Sequence, residues 1–233
     1  MAMETLSSSR QCSLEPASRN ANLGDSTPGD ATSGENLAFV SPEYRSLGIR
    51  VRNIGLQLAE FLQAADLRAV HRATRTVRRP LFKALAITIS KLGNGWIYPL
   101  LLAILLAKWG VSSVKIITSA ALSATLLHAI YPIMKKWFGR RRPFETAPDL
   151  QSLLATLDSH SFPSGHTMTM VGVLTPIVML WPAALLSAAA IAIGMGWSRV
   201  ATAHHYPSDV LAGAILGMGV GYPTTACILH FWL

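Results

Sequence analysis

Cysteine is almost missing from this chain. There are two, Cys12 and Cys227, one near each end. A bridge between them is not expected, and no C-x2-C or similar spacing marks a metal site. Charge is scarce too. Only 14% of the residues are charged, against about 25% in an ordinary soluble domain. The shortage is uneven. After Asp158 the only charged side chains are Arg199 and Asp209, and a water-facing surface cannot be built that way. Acidic residues are absent between Asp66 and Glu145, while Arg and Lys recur there. With a net charge of +8, that balance reads as the basic flank of a membrane protein, not as a nucleic-acid surface. Large apolar residues are few in 1–46, which is rich in Ser, Asn, Gly, Pro and Ala. Such a stretch cannot offset its ordering entropy and is read as a disordered tail. It also lacks a basic start followed by an apolar run, so it is no secretory signal.

What the chain does have is apolar sequence: 51% hydrophobic residues and a mean hydropathy of +0.37. From about 47 to 76 the pattern is helical, with Leu58, Phe61, Leu62 and Ala65 at i, i+3, i+4 and i+7. Arg68, Arg72, Arg75, Arg78 and Arg79 follow. This suits an amphipathic helix lying on an anionic leaflet, or one packed on the protein's own surface. Residues 81–92 are apolar but short, interrupted by Lys83 and Lys91. They read as an interfacial or half-inserted helix, since a full span needs about 20 residues. Gly93-Asn94-Gly95 breaks that segment. Five spans are then expected at 95–109, 112–134, 163–181, 183–200 and 208–230, with a polar loop at 135–162. The expected fold is all-α: an integral membrane bundle of five to six transmembrane helices with an amphipathic amino-terminal helix. Its parts are the tail at 1–46, amphipathic and interfacial helices at 47–92, and a transmembrane domain at 93–233.

Three polar clusters stand out against the apolar background. Lys135 and Lys136 close the second span, before Arg140-Arg141-Arg142-Pro143. Phe162-Pro163-Ser164-Gly165-His166 opens the third. Ser198-Arg199 closes the fourth, and His204-His205-Tyr206-Pro207-Ser208-Asp209 opens the fifth. Counting crossings puts every cluster on one face of the membrane. Arg forks onto phosphate with two parallel hydrogen bonds. Pro163 and Pro207 suit first helical turns, and the N–H groups near Ser164 and Gly165 would then point at an anion. Plainer readings exist for each part. The basic cluster is also a positive-inside flank, and Arg199 with Asp209 is also a structural ion pair. His128 and His230 are read as packing residues, while His204, beside His205, is open between the site and a plain interface residue.

Taken together, the order is Lys135, six residues, Arg142-Pro143; Pro163-Ser164-Gly165-His166; Ser198-Arg199, five residues, His205, three residues, Asp209. This resembles the type 2 phosphatidic acid phosphatase superfamily, over roughly 131–221. The superfamily also includes vanadium haloperoxidases and glucose-6-phosphatase-like enzymes. The resemblance implies that His205 is a nucleophile forming a phosphohistidine and that Asp209 orients its ring. His166 is implied as the general acid and then the base that activates water. Lys135, Arg142, Ser164, Gly165 and Arg199 are implied to hold the phosphoryl oxygens. No metal and no cofactor is implied, and Glu145, Asp149 and Asp158 are not read as a metal site.

A site between spans at the lipid–water boundary suits a substrate with one end in hydrocarbon. The candidates are phosphatidic acid, phosphatidylglycerophosphate, polyprenyl diphosphate and lipid A phosphates. The expected partners are that lipid phosphate and the surrounding lipids, with no nucleic acid, and the expected location is a bacterial inner membrane. A lipid phosphotransferase and a non-catalytic lipid-phosphate binder use the same pocket, and both remain open. Sidedness depends on the count. With five spans the site shares a face with the basic amino-terminal region, which the positive-inside rule places in the cytoplasm. With six it faces outward.

Overall fold

A computed structural model describes residues 42–156 and 158–231. The chain divides into two compact units, Met1–Val51 and Arg52–Leu233. Most of the expected tail lies outside the described residues. Of the first unit only 42–51 are described, and they are helical. All the chemistry discussed below belongs to the second unit.

Regular structure among the described residues is helical throughout. The elements are α1 (Pro42–Thr76), α2 (Pro80–Lys91), α3 (Ile97–Trp109), α4 (Val114–Phe138), α5 (Pro143–Thr146), α6 (Gly165–Leu180), α7 (Leu185–Ala201) and α8 (Pro207–Phe231). Local chemistry sets several ends. Proline, whose missing N–H costs nothing in a first turn, opens α2, α5 and α8. Gly110 and Gly139, with φ of 52° and 56°, stop α3 and α4, because a side chain resists that left-handed backbone. The stretches Pro80–Thr146, Pro182–Ala201 and Pro207–Phe231 are long and apolar enough to cross a membrane, and Gly165–Leu180 is a shorter apolar helix. The first stretch turns back at Gly110, so it holds two crossings. The described residues therefore make five: α2 with α3, α4, α6, α7 and α8. The protein is an all-α integral membrane bundle with an amphipathic helix ahead of it.

The expected interfacial segment 81–92 has a different place. As α2 it packs along the last turns of α7. Ala86 is buried with Ala201, Phe82 meets Trp197 edge-on at 6.5 Å, and the hydroxyls of Ser90 and Ser198 are 3.1 Å apart. It joins α3 through a π-turn, Leu92–Trp96, where Gly95 adopts φ 131°. The far end of α3 then reaches the start of α7, with Trp109 edge-on to Trp181 at 4.7 Å. One kinked helix thus spans the bundle beside α7. The glycines expected to break the segment bend it without ending the helical path.

The bundle is inverted relative to a soluble protein. Leu102, Ile104, Leu122, Ile193, Leu211 and Ile215 point outward, while Ser119, Ser123, Ser198 and Thr225 are buried. The buried hydroxyls bond back to carbonyls one turn earlier, as Ser123 does to Ser119 at 2.7 Å. Lipid is as apolar as leucine, so helix association there depends on close packing. The closest approach is α6 on α8. A Cβ on Gly217 would lie 2.4 Å from the Met168 carbonyl oxygen, and one on Gly213 would lie 2.6 Å from that of Ser164. Only glycine lets the two backbones touch, and this contact presses the start of α6 against α8 where the polar clusters meet.

The second half of α1 lies on the same end as those clusters. Val70 is buried among Ala147, Leu150, Val200, Ala203 and Tyr206. Nearer the middle of α1, Leu58, Phe61 and Leu62 are more than half exposed.

Candidate active site

His205 follows α7 and precedes α8, and it is 1% exposed. Its Nδ1–H donates to the Ser161 carbonyl at 2.7 Å. A carbonyl can only accept, so the proton sits on Nδ1 and Nε2 carries the lone pair. Burial, followed by the charges of Arg199 and Arg142, holds its pKa well below that of free histidine. The ring is therefore neutral. Asp209 is one helical turn on, with Oδ2 at 3.7 Å from Nδ1. That is contact without a hydrogen bond or an ion pair. Asp209 Oδ2 instead accepts the Tyr206 N–H at 2.8 Å, and Oδ1 accepts Arg140 Nη1–H at 2.6 Å. The Ser161 carbonyl fixes the tautomer, and Asp209 backs the ring with charge.

The plainer alternative for Arg199, a structural ion pair with Asp209, does not form, and Arg140 takes the carboxylate. Among the described residues, Arg199 Nη1 reaches only the Ser90 hydroxyl, at 3.3 Å. Arg142 Nη1 donates to the His204 carbonyl at 3.1 Å, and Nη2 donates to Asp158 Oδ1 at 2.6 Å. The Nε–H groups of both arginines are buried without a partner among the described residues. Unpaired buried donors on cations are costly, and two together mark a place built for an anion.

Lys135 lies in the last turn of α4, which runs four residues past the expected end at 134. Its Nζ donates to Asp158 Oδ1 at 2.5 Å and to the His160 carbonyl. Asp158 thus bridges Lys135 and Arg142, and it also accepts from the Tyr131 hydroxyl. Burial would raise its pKa. The bonds from Lys135 and Tyr131 and the charges of Lys135 and Arg142 outweigh that and hold it far below the usual carboxylate range.

Ser164 and Gly165 form the start of α6. The Ser164 N–H is not free for an anion, as it donates to the Asp209 carbonyl at 3.0 Å. The Ser164 and Thr167 hydroxyls are 3.1 Å apart, and the Gly165 Cα packs so closely on Tyr131 that a Cβ would sit 2.4 Å from the ring. His166 points elsewhere, toward the π-turn. Its Nε2–H donates to Asn94 Oδ1 at 2.6 Å, leaving Nδ1 as the nitrogen that can exchange protons. A cavity of about 390 Å³ lies there, lined by Asn94, Tyr98, His128, Tyr131, Asp158 and His166. Asp158 and His166 line it, and His205 and Arg142 do not. His128 lines this cavity with its Nδ1 tied to the Ala124 carbonyl at 2.8 Å, whereas His204 is a packing residue. The latter is fully buried, its Nδ1 bonds Thr202 at 3.1 Å, and burial and the nearby arginines push its pKa down to about 4.

Residues 112–232, just over half of the chain, match the family model of the PAP2 superfamily. This chain belongs to the PAP2 superfamily. Among relatives, the lipid A 1-phosphatase of Rhizobium johnstonii is 35% identical over 89 residues, covering 36% of this chain and 36% of that protein. The matched stretch is thus little more than a third of that relative's length. Among solved structures, the PAP2-type phosphatidylglycerolphosphate phosphatase of Bacillus subtilis aligns with a TM-score of 0.57 and 23% identity, over 80% of this chain and 97% of that one. The LpxE of Aquifex aeolicus aligns with a TM-score of 0.56 and 26% identity, over 66% and 92%. The PAP2 fold accounts for the placing of all three motifs at one end of the bundle.

Sequence reasoning missed part of this PAP2 site. Asn94 sat in a segment read only as a break, although a Gly-Asn-Gly inside an apolar run is itself a signal. Asp158 is the one acid between Asp149 and Asp209, which could have marked it. The Ser161 carbonyl left no trace, because any residue offers one. Among the described residues no three His, Cys, Asp or Glu side chains gather as a metal site.

Proposed function

We propose that this PAP2 protein is a membrane phosphatase that hydrolyses a lipid phosphate or diphosphate through a phosphohistidine on His205, without a metal. The observation that carries the reading is the state of His205. It is neutral, with Nδ1–H tied to Ser161 and Nε2 left as nucleophile, beside two buried arginines that each keep an unpaired Nε–H.

The chemistry proceeds in two displacements. Nε2 of His205 attacks phosphorus, and the bond from phosphorus to the lipid oxygen breaks. His166, entering the step as an imidazolium, gives that oxygen its Nδ1 proton, while Asn94 holds the Nε2–H. Water then attacks phosphorus, the P–N bond breaks, and His166 takes the water's proton. The imidazolium charge that develops on His205 is matched by Asp209. Lys135, Arg142 and Arg199, with Ser164 and Gly165 at the start of α6, hold the phosphoryl oxygens. Phosphoryl transfer needs mainly such positioning and charge stabilisation. In this reading the phosphate enters where the Asp158 carboxylate now bridges Lys135 and Arg142.

The cavity beside His166 opens among bundle helices, so the substrate is read as a lipid. The relatives' names direct attention to lipid A 1-phosphate and phosphatidylglycerophosphate first. The membrane proposed is a bacterial inner membrane, since the relatives above are bacterial. The test is phosphate release in detergent micelles containing EDTA, over phosphatidic acid, phosphatidylglycerophosphate, polyprenyl diphosphate and lipid A phosphates. Release that survives EDTA and is lost in folded His205→Ala supports the reading. Release equal to wild type in that variant would sink it. Phosphate passed to an added acceptor instead of water would make the protein a phosphotransferase. Binding without release would make it a lipid-phosphate binder.

A further inference from the structure

Asp66 lies on α1, outside the residues that match the family. Its side chain is only 10% exposed. Oδ1 accepts the Ser208 N–H at 3.1 Å, one of the donors that the start of α8 leaves without an intrahelical partner. Oδ2 accepts the Ser208 hydroxyl and Arg140 Nη2–H at 2.7 Å. The other arm of Arg140, Nη1, donates to Asp209 Oδ1 at 2.6 Å and to Ser208 Oγ at 2.7 Å. The guanidinium rests over the Tyr206 ring, 3.9 Å from its centroid. One guanidinium is therefore held between two carboxylates, one on α1 and one beside the proposed nucleophile.

The geometry has a consequence for Asp209. A guanidinium with a single carboxylate neighbour favours the two-bond fork, which engages both oxygens. Here the second arm is taken by Asp66, so Arg140 can hold only Oδ1 of Asp209. Oδ2 stays with the Tyr206 N–H and faces the His205 ring at 3.7 Å. Arg140 alone would be a loose anchor. It follows Gly139 on a short link after α4 and is 27% exposed.

We propose that Asp66 is a positioning residue for catalysis: by clamping Arg140 to α1, it sets the plane of the Asp209 carboxylate against His205. The proposal rests on His205 being the nucleophile. It makes the correct seating of a surface helix a condition for turnover, although that helix carries none of the family's motif residues.

The test uses the full chain in detergent with EDTA. Phosphate release is followed from the best substrate of the panel above, with orthovanadate binding by calorimetry as a readout that needs no lipid. Asp66→Asn keeps an acceptor for the Ser208 N–H and removes the anion. The expected result is a fall in kcat of about tenfold or more, with KM within about twofold, the mark of an interaction made only in the transition state. Orthovanadate affinity falls with it. Arg140→Gln added to Asp66→Asn gives little further loss, because paired residues act as a unit. Arg140→Lys keeps the charge without the fork and shows the same kcat loss, which covers the case in which Asp66→Asn does not fold. Unchanged kcat and unchanged orthovanadate affinity in these variants overturn the proposal. So does a loss that multiplies simply with that of Arg140→Gln while the unfolding temperature drops, since that is a structural role. Orthovanadate binding indifferent to His205→Ala would instead remove the nucleophile reading, and the clamp's purpose with it.

Discussion

Two stretches of this chain build one site by different means. Residues 112–231 carry every motif residue, and there the family match, the span ends and the chemistry coincide. Residues 52–109 carry no motif, yet two of their side chains meet motif residues and a third stands one contact behind them. Asn94 bonds His166, Ser90 touches Arg199, and Asp66 holds Arg140 and Ser208. The carboxy-terminal stretch supplies groups that would touch the phosphate. The amino-terminal stretch supplies groups that touch those groups. The comparison teaches that a motif marks chemistry that cannot be varied. Its supports need only reach the right atom, from whichever helix is near.

The sharpest way to break that division is to compare one residue from each stretch. Asp209→Asn removes the charge that backs His205, and kcat should fall by roughly 10³-fold, short of the ~10⁴-fold seen when a catalytic histidine also loses its tautomer, which Ser161 holds here. Asn94→Ala leaves His166 in place but frees its ring, and a loss nearer ten- to a hundredfold in kcat is expected, a fraction of what acid–base catalysis supplies in all. Both are read from initial rates on one lipid phosphate at saturating concentration. An Asn94→Ala loss as large as that of Asp209→Asn would erase the distinction between the stretches.

The same division explains how much could be read in advance. The bundle was legible because lipid demands long apolar runs, and those runs end in residues that lipid excludes. His205, His166, Asp209, Arg142, Arg199 and Lys135 were legible because polar side chains in that setting stand out. Asp66 was not. It sits in a helix whose charges are all accounted for by water or a leaflet, and only the fold shows that it faces inward. That the 81–92 segment runs on into α3 was not legible, because the join is a kink at Gly95, and apolar length in sequence does not register a kink. Ser161 acts through its backbone, which composition never reveals.

Asp158 belongs to the motif-bearing stretch but behaves unlike its neighbours. It is the carboxylate that now occupies Lys135 and Arg142. If substrate phosphate takes the same cations, Asp158 competes with it. Asp158→Asn should then lower KM, by about three- to tenfold, since charge-assisted bonds are roughly twice as strong as neutral ones. Orthovanadate or inorganic phosphate inhibition should tighten in parallel. A KM that rises instead would show that Asp158 orders the cations for the substrate and does not compete with it.

The smallest effect expected is on stability, and it separates two members of the site by pH. His205 has a folded-state pKa well below its unfolded value, held there by burial and by Arg199 and Arg142. Below about pH 6.5 the unfolded chain takes up a proton that the folded one refuses, so stability falls as pH drops through that value. Asp158 is also depressed, but its unfolded value is near 3.9 on the usual scale, so its contribution is intact until about pH 4 and lost below. Unfolding temperature in detergent should therefore decline between pH 7 and pH 5 in the wild type and in Asp158→Asn alike, and decline less in His205→Gln. Equal slopes in all three would mean that the proton taken up on unfolding belongs elsewhere, with His204, fully buried and held at about 4, the first residue to replace in its turn.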